Sequence, residues 1–518
     1  MSGAKATEEM EPAARVMLTV CVMMATVMQA LDTTIANVAL PYMQGSLSTT
    51  QDQVNWVLTS YIVAAAIMTS PLGWMAQRFG RKKLFIVCAA GFTLASMLCG
   101  AAQSIEQMVA FRLLQGVFGA ALVPVSQAVM LDIYPPAQRG SAMAIWGMGV
   151  MLGPIMGPTL GGWLTDAYSW RWVFFVNLPF GILTVLGLST FMRESVIKRE
   201  IPFAWFGFLT LSLGIGALQM MLDRGQDQGW FGSNEIIIEG ALSIIGFYFF
   251  FADSMTTDRP FVPLKMFRDW NFSVAVLFMF IIGVMLLATM ALVTPYLQNL
   301  MGYPVLASGY LLGTRGIGTF FAMMVVGRML GKIDARLLIF AGLVMATGSL
   351  WAMVYWSPES SATAIAIDSV VQGLGLGFVF VPLNTVAFAT LPGELRTDGT
   401  ALWTLIRNLG SSIGISLIIS ELTNMIGTFH SQLAEKLTPF NDALRMPDVA
   451  NMLSLTTQGG REALDGIITQ QAAIMAYSND FLIMTFVSLS AFPLLFLIRG
   501  AKPAPAIAKK GEHAAVMD

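Results

Sequence analysis

Apolar residues come in blocks of roughly twenty, separated by short polar and charged turns, along almost the whole chain. At ~1.5 Å rise per residue, a helix of such length crosses ~30 Å of hydrocarbon. The blocks are too long and too uniformly apolar for barrel strands. Lipid offers the backbone no hydrogen bonds, so the blocks must be helices. The pattern predicts fourteen spans, roughly 16–41, 54–76, 83–103, 107–131, 140–165, 171–192, 203–222, 234–253, 272–296, 305–330, 336–356, 362–391, 399–425 and 480–499. Residues 426–479 are polar. They show helical spacing at Phe429, Leu433 and Leu437, breaks at Pro439, Pro447 and Gly459–Gly460, and helical spacing again from Leu464 to Ala472. They are expected to form a small helical hairpin outside the membrane. Residues 500–518, rich in Ala, Pro and Lys, are expected to be disordered. The first apolar run follows an acidic leader without a small-residue cleavage site, so it is expected to be a span and not a signal peptide.

Charge sorts with this topology. Of 29 Lys and Arg, 21 fall on the side that carries both termini and the even-to-odd loops. Five lie opposite (Arg171, Arg224, Lys436, Arg445, Arg461), and Arg112, Arg315 and Arg407 lie within spans. The positive-inside rule makes both termini cytoplasmic. With 56% hydrophobic and 12% charged residues, the chain is not a water-soluble globule. A net charge of −2 gives no support for a nucleic-acid partner. Cys21, Cys88 and Cys99 all lie in apolar spans, so neither a disulfide framework nor a metal pair is expected. His430 and His513 sit in polar segments. There is no GxxxxGK[ST] loop, no HExxH and no convergent nucleophile and base, so neither a cofactor nor enzymatic activity is expected.

Seven residues recur at one offset. Gln115, Gly116, Pro135, Arg139, Trp146, Gly153 and Gly157 reappear 257 positions later as Gln372, Gly373, Pro392, Arg396, Trp403, Gly410 and Gly414. A duplicated apolar unit in register is the mark of a parallel-repeat transporter, with its substrate site between the halves. Span 4 maps onto span 12, an offset of eight where a plain duplication of six helices would give six. Two extra helices must therefore separate the halves. The expected organisation is a six-helix bundle at 1–192, two inserted helices and a loop at 193–271, a second six-helix bundle at 272–499, and a tail.

Several motifs carry chemistry. Asp32 lies deep in span 1, within Leu31-Asp32-Thr33-Thr34-Ile35-Ala36-Asn37. A membrane-embedded carboxylate either faces a polar cavity, where it can exchange protons, or is tied to backbone or to Asn37. Gly73, Arg78, Gly80, Arg81, Lys82 and Lys83 form a basic turn after span 2, placed to offer donors to helix C-termini and to Asp132 at the end of span 4. Arg112 in span 4 cannot shed its charge, so it needs an acid, carbonyls or water. It is expected to tune the proton-carrying acid, to hold an anionic substrate group or to make a purely structural pair. Gly149, Gly153, Gly157 and Gly161 make one smooth face of span 5, with Pro154 and Pro158 fixing bends. The face is expected to seal the outer side of the seam between the rocking halves when the cavity faces inward. Arg407, Asp368 and Arg315 are further buried charges, with Arg407 the favoured second functional one; Glu239 and Glu421 are expected at the interface.

Taken together these motifs resemble the major facilitator superfamily, in its fourteen-span drug:proton antiporter branch of EmrB type. The residues that carry the likeness are Leu31 to Pro41, Arg112 with Gln115-Gly116, Gly153-Pro154 with Gly157-Pro158, and Trp170 to Pro179. The resemblance covers nearly the whole chain. It implies the major facilitator fold, an all-α polytopic membrane protein of two six-helix bundles plus two inserted helices. It also implies proton-driven export of small amphipathic substrates across an inner membrane, with Asp32 as the proton site and Arg112 as its partner. Relatives of this kind work with a periplasmic adaptor (EmrA-like) and an outer-membrane channel (TolC-like), which makes 426–479 a candidate docking surface. Export of a metabolite such as a fatty acid or siderophore fits the same motifs, and proton-coupled uptake fits them less well. One departure stands out: Gln77 occupies a position where this family usually has an acid.

Overall fold

The computed structural model describes residues 11–135, 138–194, 202–257, 260–437, 453 and 456–499. Its first half holds α1 (Pro12–Ser46), α2 (Gln51–Thr69), α3 (Leu72–Phe79), α4 (Arg81–Ala101), α5 (Ile105–Gly119), α6 (Leu122–Ile133), α7 (Arg139–Ala167), α8 (Trp172–Phe175) and α9 (Asn177–Phe191). Then come α10 (Trp205–Arg224) and α11 (Asn234–Thr256). The second half holds α12 (Trp270–Pro295), α13 (Val305–Met329), α14 (Ala335–Met353), α15 (Ala362–Ala389), α16 (Arg396–Ala434), α17 (Gln458–Leu489) and α18 (Phe492–Leu497). Among the described residues thirteen helical segments are long and apolar enough to span a membrane, and the pair α2 and α3, bent by 58°, makes a fourteenth. The chain is thus an all-helical, multi-pass membrane protein.

Local chemistry sets several helix starts. The side chains of Thr50, Ser104, Asp269, Asp334, Ser361 and Thr457 each accept a hydrogen bond from a first-turn N–H of the helix that follows. Gly80, at φ +88°, makes the sharp turn between α3 and α4, and a side chain there would run into the Glu194 carboxylate. α12 ends at Pro295 and continues as one π-helical turn, Tyr296–Leu300.

The repeat is visible in packing. Gly153 and Gly410 press against the backbone of Ala30 and Phe280, and Gly157 and Gly414 against Thr34 and Val284. Gly116 and Gly373 press against the carbonyls of Tyr61 and Arg315. Trp146 and Trp403 are both fully buried. α10 lies across the seam between the halves: Asp223 accepts from Thr59 of α2, Gln219 Nε2 donates to Ser412 of α16 (2.7 Å), and Ser416 Oγ to the Leu222 carbonyl (2.7 Å).

Two expectations need correction. In this conformation, latched on the basic face, the glycine face of α7 does not lie on the seam between halves. Gly149, Gly153, Gly157 and Gly161 all face α1, at Met23, Ala30, Thr34 and Ile35. A different stripe of α7 meets the other half, through Gly140 on Leu330, Ala144 on Gly327, Gly147 on Met323 and Ile155 on Gly316. The i+4 spacing points all four glycines one way, and that way is into their own bundle. The side chains of Pro154 and Pro158 lie outside the described residues. The segment 426–479 also differs, because its arms are not a separate hairpin. α16 runs on unbroken to Ala434, and α17 starts at Gln458 and enters the membrane without interruption. His430 and Asp465 join the two arms at 3.0 Å. The stretch between the arms, with Pro439 and Pro447, lies outside the described residues, as does the tail 500–518.

Candidate functional site

α1, α5 and α9 bring four polar side chains together inside the first half. The Asp32 side chain is 0% exposed and that of Arg112 1%. Arg112 Nη1 donates to Asp32 Oδ2 at 2.7 Å and to Gln115 Oε1 at 2.8 Å. Gln115 Nε2 and Asn177 Nδ2 donate to Asp32 Oδ1 at 2.8 and 3.1 Å. Arg112 Nε donates to the Val57 carbonyl at 3.0 Å, and the guanidinium lies over the Tyr61 ring, 4.4 Å from its centroid. Three N–H donors thus converge on the two oxygens of Asp32, which suits an acceptor-only carboxylate. Breaking such a buried pair leaves a naked charge, so the pair holds α1 and α5 together until a proton or water replaces one partner. Asn37 takes no part; it is exposed, and Asn177 holds the place the sequence offered it.

The second half lacks this pair. The matched glycine contacts at Ala30 and Phe280, and at Thr34 and Val284, set Ile282 where Asp32 stands. The 257-residue offset sets Ser369 where Arg112 stands. Arg315 occupies the position of Tyr61 and is 7% exposed; its Nη2 donates to the Leu286 carbonyl at 3.3 Å. Arg407 folds onto neighbouring Asn408 Oδ1, 3.4 Å from Nε and 3.3 Å from Nη2. Asp368 is tied to Trp356 Nε1 at 2.8 Å. The structure does not bring Arg315, Arg407 and Asp368 into one cluster.

On the basic face the halves are latched. Asp132 of α6 takes ion pairs from Arg81 of α4 and Arg396 of α16. Arg81 Nη2 also donates to the Gly393 carbonyl at 3.3 Å. Gln77 Nε2 donates to Asp398 Oδ2 at 3.1 Å, and the Asp398 carboxylate fills the space above Gly73. The acid missing at Gln77 is therefore met by an acid on the opposite half. Arg78 sits in the last turn of α3 and does not join the Asp132 cluster. Deeper in, Gln127 Nε2 donates to Asn384 Oδ1 at 2.6 Å. These two residues are 257 apart, so they are repeat equivalents that meet each other.

Sequence reasoning did not single out Asp398, the Gln127–Asn384 pair, Asn177 or Asp480. The repeat offset carried a signal for the pair, since both positions hold an amide in an apolar helix. Glu239, expected at the interface, is buried and lies 3.7 Å from Arg224.

A multi-pass helical protein of two related halves, latched on one face and with a buried ion pair in one half, is built as an alternating-access transporter. The model of the Major Facilitator Superfamily matches residues 22–415, and the chain belongs to that family. The chain is 35% identical over 506 residues to the multidrug export protein EmrB of Haemophilus influenzae, covering 97% of this chain and 98% of that one. It is 35% identical over 498 residues to EmrB of Escherichia coli strain K12 (95% and 96% covered). It is 33% identical over 500 residues to the fatty acid resistance protein FarB of Neisseria gonorrhoeae (95% and 97% covered). In fold it is similar to the human organic anion transporter MFSD10, with TM-score 0.60 at 12% identity, covering 92% of this chain and all of that one.

Proposed function

We propose that the protein is a proton-driven antiporter that exports small amphipathic compounds across the inner membrane by alternating access. The basic face is then cytoplasmic, with both termini inside. The observation that carries this reading is the buried Asp32–Arg112 pair, fully hydrogen-bonded in a bundle whose basic face is latched. A proton arriving at Asp32 neutralises the acid and releases Arg112. The closing energy of α1 against α5 falls, and the bundles are free to rock. The similarity to multidrug export proteins supports a broad apolar substrate range. The similarity to a fatty acid resistance protein favours a second reading, export of a fatty acid by the same mechanism. The arms α16 and α17 beyond the membrane are offered as the docking surface for an EmrA-like periplasmic adaptor, which would lead to a TolC-like outer-membrane channel.

The test is transport in proteoliposomes under an imposed pH gradient, with a panel of lipophilic dyes and medium-chain fatty acids. Asp32→Asn is expected to abolish gradient-driven transport in a protein that still folds. Undiminished gradient-driven efflux by that variant would remove Asp32 from the mechanism. Proton movement in the same direction as substrate would replace export with uptake.

A further inference from the structure

The second half contains an acid that the mechanism above does not use. Asp480 of α17 is 0% exposed, and neither of its oxygens has a protein hydrogen-bond partner among the described residues. α17 packs on α12 and α14 as α9 packs on α1 and α4. In α9 the polar residue is Asn177, fully engaged with Asp32 and Ser96. In α17 Asp480 has no such partner among the described residues.

Above Asp480 sits the π-helical end of α12. Tyr296, 1% exposed, opens that turn, and its hydroxyl is also without a partner. Its ring packs on Tyr477 (5.2 Å between centroids) and Phe481 (6.1 Å), which flank Asp480 on α17. Trp356 closes the cluster against Tyr296 at 5.9 Å and Phe481 at 5.8 Å. The titratable groups next to Asp480 are Tyr477 on its own helix and Glu421 from α16, whose charge repels it; Tyr296 from the end of α12 adjoins Tyr477. No cation pairs with Asp480 among the described residues. A buried carboxylate with no donor and a like charge nearby is costly to ionise. A short π-helical turn next to a proline is a local irregularity of a kind often found at functional sites.

We propose that Asp480 is a second proton-binding site, which latches the π-helical end of α12 over the outer half of the second bundle. As the neutral acid, Asp480 lets the rings of Tyr296, Tyr477, Phe481 and Trp356 close up beside it. When the O–H bond at Asp480 breaks, the proton passes to water that enters as the cluster loosens, and from there to the outer side. The carboxylate left behind demands hydration, and the end of α12 swings away. Acid outside therefore closes the outer side, the direction an exporter driven by an inward proton gradient requires. The inference rests on the antiport reading for its purpose, and on geometry for its existence.

The experiment uses the full-length protein in liposomes on a background with Cys21, Cys88 and Cys99 changed to Ser. Leu297→Cys, a 0% exposed position in the π-helical turn, reports opening through its labelling rate with a membrane-impermeant maleimide added at the outer face. Expressed relative to the rate of a free small-molecule thiol at the same pH, which cancels the greater reactivity of the thiolate in alkali, the parent is expected to label several-fold faster at alkaline than at acid pH. Asp480→Asn should label slowly at both, and Asp480→Glu should restore the dependence. If Asp480→Asn does not fold, Asp480→Ser, smaller and equally unable to ionise, takes its place with the same expected result. Asp32→Asn should lose transport yet keep pH-dependent labelling, so failure of the antiport reading and failure of the latch give different results. A pH dependence that persists in Asp480→Asn, or is absent from the parent, overturns the latch.

Discussion

Equivalent residues in the two halves behave differently once their neighbours diverge. Trp146 Nε1 donates to Ser126 Oγ at 2.8 Å, and Ser126 in turn accepts from Thr26 Oγ1 at 2.8 Å. Trp403, its repeat partner, is equally buried, but position 383 is Leu where position 126 is Ser, and Trp403 Nε1 has no partner. Trp146→Phe should therefore cost about 1 kcal/mol more than Trp403→Phe, the difference being one buried hydrogen bond. Thermal unfolding of the two variants in detergent reads this directly. At the ion pair, Asn177→Ala removes one of the donors to Asp32. It is expected to slow pH-gradient-driven transport while leaving expression intact, measured beside Asp32→Asn. The sequence showed Asp32 and Arg112 because charges in apolar runs are conspicuous. It placed Asn177 only inside the Trp170 to Pro179 motif and gave it no role, which it gains when α9 folds back beside α1. Asp398 escaped for a similar reason: it reads as a loop acid until α3 is brought beneath it.

Among the helices, glycine spacing says that a close approach exists but not which helix makes it. A side chain at Gly153 would collide with the Ala30 backbone, and one at Gly410 with the Phe280 backbone, neither of which can yield as a side-chain tip can. Gly153→Val and Gly410→Val are each expected to lower the yield of folded protein severely. Gly149→Ala meets only the end of the Met23 side chain and should be far milder. Monodisperse recovery by size-exclusion chromatography distinguishes them. The span positions were readable from hydropathy because each helix crosses the same apolar slab. The length of α16 and α17 was not, because a helix leaving the membrane becomes polar without ceasing to be helical. The break between α2 and α3 was also hidden, since a bent span and a straight one have the same composition.

For the molecule as a whole, the latched basic face defines the conformation. Asp132, Arg81 and Arg396 join the halves at the surface, and Gln127 with Asn384 joins them deeper in. A cysteine pair at Gln127 and Asn384, once oxidised, is expected to lock the basic side shut and stop transport; reduction should restore it. Asp132→Asn should act the other way, raising the accessibility from the basic side of a reporter cysteine at Ser141, which now donates to the Gly327 carbonyl across the seam (2.9 Å). The repeat offset foretold two matched bundles, but which residues would touch across them depended on how the bundles lean. The Gln127–Asn384 bond has a meaning beyond gating. Equivalent positions can meet only on the symmetry axis itself. If the gene arose by joining two copies of one shorter ancestor, this amide contact is the descendant of a residue that once clasped its own twin, and the interface is older than the single chain that now contains it.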